Sequence, residues 1–423
     1  MKVKIFPSKV MGEVKIPPSK SMSHRAIICA SLAKGTSTIT NVAYSDDVKI
    51  TIEGMRQLGA KIECYEDYVI IEGITDFSKC KEDTIFCNES GSTLRFFIPI
   101  FSLCNRKIAF TGKNRLLKRP QSIYEKIFNE QNITYTHNNE QIEIGGSLKP
   151  RKYELDGDIS SQFISGLLFA LPLLEKDSTI YIREPYESRS YVDLTLQMLS
   201  LYGIKAEYID RNTLYIWGNQ SYKAHNYEIE GDFSQLAFFA VLASINNDLL
   251  CTGLSHNSLQ GDKKIISILK NAGATIEEIE KGYLIKKSKL TGCDIDLQDC
   301  PDLGPILNVL AMYSKGKTRI FNAQRLRYKE SDRISAMEEE LLKCNVDIQT
   351  NESEIIIVGK DVYQCNETLI AHKDHRIVMS LAVAATLFNK EVIIDEAQAI
   401  NKSYPTFFED MKKIGVKVEC FDD

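Results

Sequence analysis

An α/β architecture in two or more domains, assembled from repeated units, is what the sequence predicts, and three observations carry it. A short phrase made of a helix end, a Gly or Asn and an alternating strand returns six times, at intervals of about 70 residues. The 423 residues, 43% of them hydrophobic, exceed what one core of ordinary size holds. The segment Gly157-Asp158-Ile159-Ser160-Ser161-Gln162-Phe163 also resembles Gly231-Asp232-Phe233-Ser234-Gln235-Leu236-Ala237, which groups the units by halves.

The chain opens with Met1-Lys2-Val3-Lys4-Ile5-Phe6, an alternating strand rather than a signal or transit peptide. The rigid Pro17-Pro18 follows, then hydroxyls and cations, Ser19-Lys20-Ser21-Met22-Ser23-His24-Arg25, leading into the apolar helix Ala26-Ile27-Ile28-Cys29-Ala30. From there the repeated phrase sets the order: Gly59-Ala60-Lys61-Ile62, Asn132-Ile133-Thr134-Tyr135, Gly203-Ile204-Lys205-Ala206, Gly273-Ala274-Thr275-Ile276, Asn345-Val346-Asp347-Ile348 and Gly415-Val416-Lys417-Val418. Gly or Asn suits a left-handed helix cap, and the residues after it alternate as a strand does. Five copies continue through a polar turn into a second strand, as at Tyr68–Gly73, Thr213–Gly218 and Glu354–Gly359. For the sixth, the N-terminal strand is expected to supply the missing partner. That places residues 1–15 with 228–423 in one domain and 16–227 in the other, with two crossings forming a hinge.

Composition narrows the function. A net charge of −5 argues against a general nucleic-acid surface, and no apolar run reaches membrane-spanning length, so neither nucleic acid nor membrane is expected as a partner. Eleven cysteines without a Cys-x-x-Cys pair fit reduced thiols and a cytoplasmic protein. The six histidines show no metal-ligand spacing, so no metal is expected. Cationic function must therefore be concentrated locally.

Helix starts are where the cations gather. A helix N-terminus offers free N–H groups and a positive dipole end, which suits an anion; any one such start is also an ordinary capped helix. Asn88-Glu89-Ser90-Gly91-Ser92-Thr93-Leu94-Arg95 is a small-residue turn entering the helix from Phe96, and in Lys118-Arg119-Pro120 the proline suits a first helical position. Ser160-Ser161-Gln162 and Tyr186-Glu187-Ser188-Arg189 open helices with hydroxyls. Asp302, in Cys300-Pro301-Asp302-Leu303-Gly304-Pro305, reads as an N-cap unless cations surround it, in which case it becomes a candidate base. The densest run is Arg327-Tyr328-Lys329-Glu330-Ser331-Asp332-Arg333; Lys373-Asp374-His375-Arg376 and Asn401-Lys402-Ser403-Tyr404-Pro405 follow. Together these supply more cations at helix starts than structure requires.

The segments Pro18–Ala26, Ser90–Arg95, Ser160–Phe163, Lys329–Arg333, Asp374–Arg376 and Lys402–Pro405, in order along the whole chain, resemble the signature segments of the 5-enolpyruvylshikimate-3-phosphate synthase family. The resemblance implies an enolpyruvyl transferase fold: a two-domain inside-out α/β barrel of six βαβαββ repeats, three per domain, with the active site in the interdomain cleft. It implies transfer of the enolpyruvyl group of phosphoenolpyruvate to shikimate 3-phosphate, without a cofactor, on the way to chorismate. By the same resemblance Lys20, Ser21, Arg25, Ser160, Ser161, Gln162, Ser188, Asp302, Arg325 and Lys329 bind shikimate 3-phosphate. Lys20, Gly91, Arg119, Gln162, Arg333, Arg376 and Lys402 bind phosphoenolpyruvate. Within that frame Asp302 is the candidate base for the attacking hydroxyl and Glu330 the candidate acid toward the methylene carbon, with Lys20 assisting. Two positions depart from the family pattern: Glu89 stands where Asn is common, and Arg325 also replaces a common Asn. The rivals are the enolpyruvyl transferase acting on UDP-N-acetylglucosamine and a non-catalytic metabolite-binding protein on the same fold. The first usually carries a reactive Cys before its Arg-Pro step, which Asn114–Pro120 lacks; retention of both Asp302 and Glu330 speaks against the second. No feature demands an oligomer, so a monomer is expected.

Overall fold

Left-handed caps organise the chain. In the computed structural model, which describes residues 1–74 and 76–422, the six repeated positions all carry positive φ: 120° at Gly59, 54° at Asn132, 76° at Gly203, 100° at Gly273, 59° at Asn345 and 97° at Gly415. Each ends an amphipathic helix and releases the chain into a strand. Those helices are Asp46–Leu58, Ser122–Asn129, Arg189–Leu201, Lys264–Asn271, Arg333–Lys343 and Phe407–Lys413.

Between them run six helices of a different composition. Phe233–Ile245, Gly304–Met312 and His375–Ala385 are buried along their whole length, and Lys20–Leu32, Gly91–Ser102 and Ser161–Ala170 almost so. A helix that is apolar all round has no face to give to water, so it goes to the centre. The strands alternate buried and open residues, as in Lys152–Asp156, and lay one face on those helices. Helices inside and sheets outside is the inside-out arrangement.

Among the described residues there are six four-stranded sheets with one shared pattern. Lys152–Asp156 runs parallel to Ser178–Arg183, which pairs antiparallel with Thr213–Ile216, which closes a hairpin with Ala206–Tyr208. The sheet at the chain's end takes its missing strand from the N-terminus: Lys2–Ile5 lies antiparallel between Val392–Asp395 and Val418–Phe421. The rest of the N-terminal segment does not join this sheet: Glu13–Lys15 belongs to another sheet of the same unit, parallel to Leu249–Thr252.

The chain divides into two compact units, one joining Met1–Ser19 to the chain from Glu230 onward, the other Lys20–Ile229. The crossings thus fall at Ser19–Lys20 and Ile229–Glu230, so residues 16–19 and 228–229 lie on the other side of the expected boundaries. Each unit holds three sheets, and each has one core of its own. In the first, Phe233–Ile245, Gly304–Met312 and His375–Ala385 pack on one another; in the second, Gly91–Ser102 packs on Ser161–Ala170. The crossing strands exchange roles: Glu13–Lys15 joins the sheet of one unit before the chain enters the other, and Tyr227–Glu228 does the reverse, pairing with Thr36–Thr40. The two crossings lie side by side, with Ser19 N–H on the Glu230 carbonyl at 2.8 Å and Asp232 N–H on the Pro17 carbonyl at 2.9 Å.

All eleven cysteines are free thiols. Among the described residues no helix is long and apolar enough to cross a membrane.

Candidate active site

In the unit Lys20–Ile229, the candidate residues cluster at the starts of the inner helices. Lys20 begins its helix and puts Nζ 2.9 Å from Asp47 Oδ2. Arg25 follows after five residues, and every nitrogen of its guanidinium is engaged: Nε on Thr195 Oγ1 at 2.9 Å, Nη1 on the Ser21 carbonyl at 2.8 Å, Nη2 on the Tyr191 carbonyl at 2.9 Å. Burial lowers its pKa to about 10, against the opposing pull of Tyr191 and Cys29, so it stays charged at neutral pH. Ser188 is left-handed at φ 52°, and its carbonyl accepts the N–H of Tyr191, whose own carbonyl holds Arg25, at 3.1 Å.

A second cluster surrounds Gly91, where the helix starts five residues earlier than expected because Ser90 caps it, Oγ accepting the Thr93 N–H at 3.2 Å. A Cβ at Gly91 would stand 2.6 Å from Arg119 Nη1 and 3.6 Å from Gln162 Oε1, so glycine lets that guanidinium lie against the turn. Gln162 is held at both ends, donating to Ser92 Oγ at 2.9 Å and accepting from Arg95 Nη1 at 2.8 Å. Arg95 also reaches the Pro120 carbonyl at 3.1 Å and lies 4.7 Å over the Phe163 ring. Ser160 caps the helix that begins at Ser161, accepting the Gln162 N–H at 3.3 Å. Pro120, expected at a first helical position, precedes Gln121, the cap of Ser122–Asn129, because the backbone at Gln121 (φ −130°, ψ 5°) is not yet helical.

In the other unit the charges interlock. Asp302 lies in the one-turn 3-10 helix Pro301–Leu303 and does not cap Gly304–Met312, which begins without a side-chain cap. Its Oδ1 meets Lys329 Nζ at 3.1 Å and Arg333 Nη1 at 3.0 Å; its Oδ2 meets Arg376 Nη2 at 3.3 Å. Arg376 Nη1 donates to the Asp302 carbonyl at 3.0 Å. Arg333, 1% exposed, gives Nη2 to Glu330 Oε2 at 2.8 Å and Nε to Asp374 Oδ2 at 2.8 Å. Lys402 Nζ reaches the Lys373 carbonyl at 2.5 Å, one residue before Asp374. Arg325 is buried on the turn Gln324–Tyr328, close enough to Lys329 to lower its pKa.

The electrostatics follow from this packing. Burial alone would raise the Asp302 pKa, but Arg376, Lys329 and Arg333 outweigh it and hold the carboxyl well below its ordinary value. Burial lowers Lys329, with Asp302 opposing. Asp262 behaves in the opposite way: burial and the charge of Asp302 push it up to about 6, although Arg376 pulls it down and Ser234 Oγ donates to it.

The structure therefore brings Gly91, Arg119, Ser160 and Gln162 together in one unit, and Asp302, Lys329, Glu330, Arg333 and Arg376 in the other. Asp47, which pairs with Lys20, and Arg95, Asp262 and Asp374, which touch or face these residues, were not among the candidates from sequence. Arg95 and Asp374 had a signal, since the first lies one helical turn beyond Gly91 and the second caps the helix carrying Arg376. Asp47 and Asp262 had none, because their partners are remote in sequence. Each cluster by itself offers cations that can hold an anion, and the one around Asp302 also presents carboxylates beside them.

A family model described as EPSP synthase (3-phosphoshikimate 1-carboxyvinyltransferase) matches residues 6–411. The chain is 48% identical over 418 residues to a 3-phosphoshikimate 1-carboxyvinyltransferase of Clostridium perfringens, covering 98% of each protein. It is 44% identical to one of Clostridioides difficile, covering 99% of this chain and 98% of that protein. The solved EPSP synthase of Acinetobacter baumannii superposes with a TM-score of 0.80 at 26% identity, over 99% of this chain and 100% of that one. The enolpyruvyl transferase NikO of Streptomyces tendae shares the fold, with a TM-score of 0.80 at 14% identity over 99% of this chain and 98% of that one. By sequence along almost its whole length and by fold, the chain belongs to the EPSP synthase (3-phosphoshikimate 1-carboxyvinyltransferase) family.

Proposed function

We propose that this protein transfers the enolpyruvyl group of phosphoenolpyruvate to the 5-hydroxyl of shikimate 3-phosphate and releases phosphate, a step toward chorismate and the aromatic amino acids. The observation that carries this reading is the contact of Asp302 with Lys329, Arg333 and Arg376, beside Glu330. Two substrates that each bear a phosphate and a carboxylate repel each other, and converging cations in a water-poor site can hold them together.

In the proposed reaction Asp302 accepts the hydroxyl proton as the oxygen attacks C2 of phosphoenolpyruvate, and Glu330 delivers a proton to C3. The tetrahedral ketal then loses phosphate while a proton leaves C3, regenerating the double bond. Lys20, Arg119, Arg333, Arg376 and Lys402 stabilise charge on the phosphoenolpyruvate side. Lys20, Ser21, Arg25, Ser160, Ser161, Gln162, Ser188, Asp302, Arg325 and Lys329 hold shikimate 3-phosphate. The low pKa of Asp302 suits a poor base, and bound anions are the remedy. Their charges offset those of Arg376, Lys329 and Arg333, which raises the basicity of Asp302 when both substrates are present. The protein acts without a cofactor, as a monomer in the cytoplasm.

The test is phosphate release from phosphoenolpyruvate, with shikimate 3-phosphate or UDP-N-acetylglucosamine as acceptor. Release is expected with the first alone; release only with the second, or with neither, overturns the reading. Asp302→Asn and Glu330→Gln are expected to lower kcat by about 10²-fold or more while retaining ligand binding. A defect confined to KM would make either residue a binding group.

A further inference from the structure

Between the strand Leu369–Ile370 and the helix His375–Ala385, two consecutive non-glycine residues adopt left-handed backbone, His372 at φ 50° and Lys373 at φ 54°. Such backbone is disfavoured for residues with a Cβ and persists where the surroundings over-determine it. Four contacts do so here. Glu340, fully buried on the helix Arg333–Lys343, accepts the Ile370 N–H at Oε2 and meets His372 Nε2 at Oε1, each at 2.8 Å. Lys373 donates its N–H to Glu396 Oε2 at 2.8 Å, and its carbonyl takes Lys402 Nζ.

The next residue, Asp374, ties the strap to the charged site. It caps the following helix, accepting the Arg376 N–H at 2.9 Å, and it receives Arg333 Nε and Nη2 at 2.8 and 3.2 Å. Arg333 and Glu340 are seven residues apart on one helix, so two turns separate them on the same face. The segment from Ile370 to Asp374 therefore runs along that face and is fastened at both ends. The charge of Glu340 is met internally, since Lys343 Nζ lies 2.8 and 2.9 Å from its two oxygens.

We propose that Glu340 and His372 are positioning residues, which hold the left-handed strap in the one conformation that aims Arg376 and Lys402 at the phosphoenolpyruvate anion. The inference rests on the assignment of Arg376 and Lys402 to that anion; neither Glu340 nor His372 touches the substrate. The hydrogen bond to Glu340 raises the pKa of His372 against the effect of burial; Glu339 also favours its charged form, and Lys343 opposes it. Protonated His372 grips Glu340 most firmly, and as pH rises through that raised pKa the grip weakens.

The test is steady-state kinetics of the full chain with both substrates, for Glu340→Gln, His372→Gly, His372→Gln and Lys402→Ala. Glu340→Gln and His372→Gly are expected to raise KM for phosphoenolpyruvate about tenfold, with kcat and KM for shikimate 3-phosphate within about twofold of the parent. Glycine relieves the backbone strain but removes the tether, so a harmless His372→Gly would overturn the proposal. His372→Gln keeps a donor toward Glu340 and is expected to restore most of the affinity while abolishing the rise of KM with pH. Equal losses in kcat and both KM values would mean a general structural role and also overturn it. If Lys402→Ala leaves KM for phosphoenolpyruvate unchanged, the anion assignment falls and the inference with it. If Lys402→Ala raises that KM and the strap variants do not, the inference alone falls. Should Glu340→Gln not fold, the two His372 variants, at a partly exposed position, decide the matter.

Discussion

Arg333 is enclosed by Asp302, Glu330 and Asp374, and of these Asp374 is the one fully buried. Burial would raise the Asp374 pKa, but Arg333 outweighs it and brings the value down to about 2. A carboxyl depressed in the folded state contributes stability above its unfolded value of about 4, and loses it as pH falls through the folded one. Asp374→Asn leaves the guanidinium buried with one partner fewer, so it is expected to cost about 3–5 kcal/mol at neutral pH. The difference in urea-unfolding free energy between parent and variant should be the same at pH 7 and pH 5, then narrow below about pH 4; a difference that persists undiminished at lower pH would contradict the assignment. Asp374 also shows what could be read beforehand. The cations at helix starts were legible because Lys, Arg and small hydroxyl residues cluster there in sequence. Which carboxylate answers which cation was not legible, since Asp302, Arg333 and Arg376 are brought together by three separate inner and outer helices. Asp302 itself reads as a cap from its neighbours and becomes a candidate base only once those cations are seen around it.

At the scale of the element, the left-handed cap is the feature through which sequence shows most of this fold. Four glycines and two asparagines stand at equivalent positions, and each takes positive φ. A Cβ at Gly59 would meet nothing nearer than 3.6 Å, so its requirement is conformational and not steric crowding by other residues. Gly59→Ala is therefore expected to destabilise the protein by about 1–2 kcal/mol, and Gly59→Asn by less, as judged by denaturant midpoints. Equal stability of Gly59→Ala and parent would show that the cap adds nothing. The strands after the caps were legible for the same reason, a fixed neighbour followed by alternation. The placement of Glu13–Lys15 was not. Three residues carry too little pattern to choose a sheet, and their parallel partner Leu249–Thr252 lies more than half the chain away. The helix start at Gly91 was read late because Ser90 does the capping, while the unbroken apolar run that signals a helix begins only at Phe96.

For the whole molecule, the proposed ligands divide between the two units. Lys20, Arg25, Gly91, Arg119, Gln162 and Ser188 belong to Lys20–Ile229; Asp302, Lys329, Arg333, Arg376 and Lys402 belong to the other unit. If one pair of substrates engages both sets, binding must draw the units together, because each set alone leaves charge on the substrates unanswered. The chain crosses between the units only at Ser19–Lys20 and Ile229–Glu230, and at the crossings the first unit joins Ser19 N–H to the Glu230 carbonyl. Lys20 is the first residue after one crossing. Small-angle scattering of the protein with phosphate-bearing ligands makes the expectation measurable. Shikimate 3-phosphate together with an unreactive phosphoenolpyruvate analogue should reduce the radius of gyration, and Lys402→Ala should weaken that response without changing the unliganded profile. Profiles indistinguishable with and without the ligands, at concentrations shown calorimetrically to saturate the protein, would mean that the two sets of residues do not close on a shared pair of substrates.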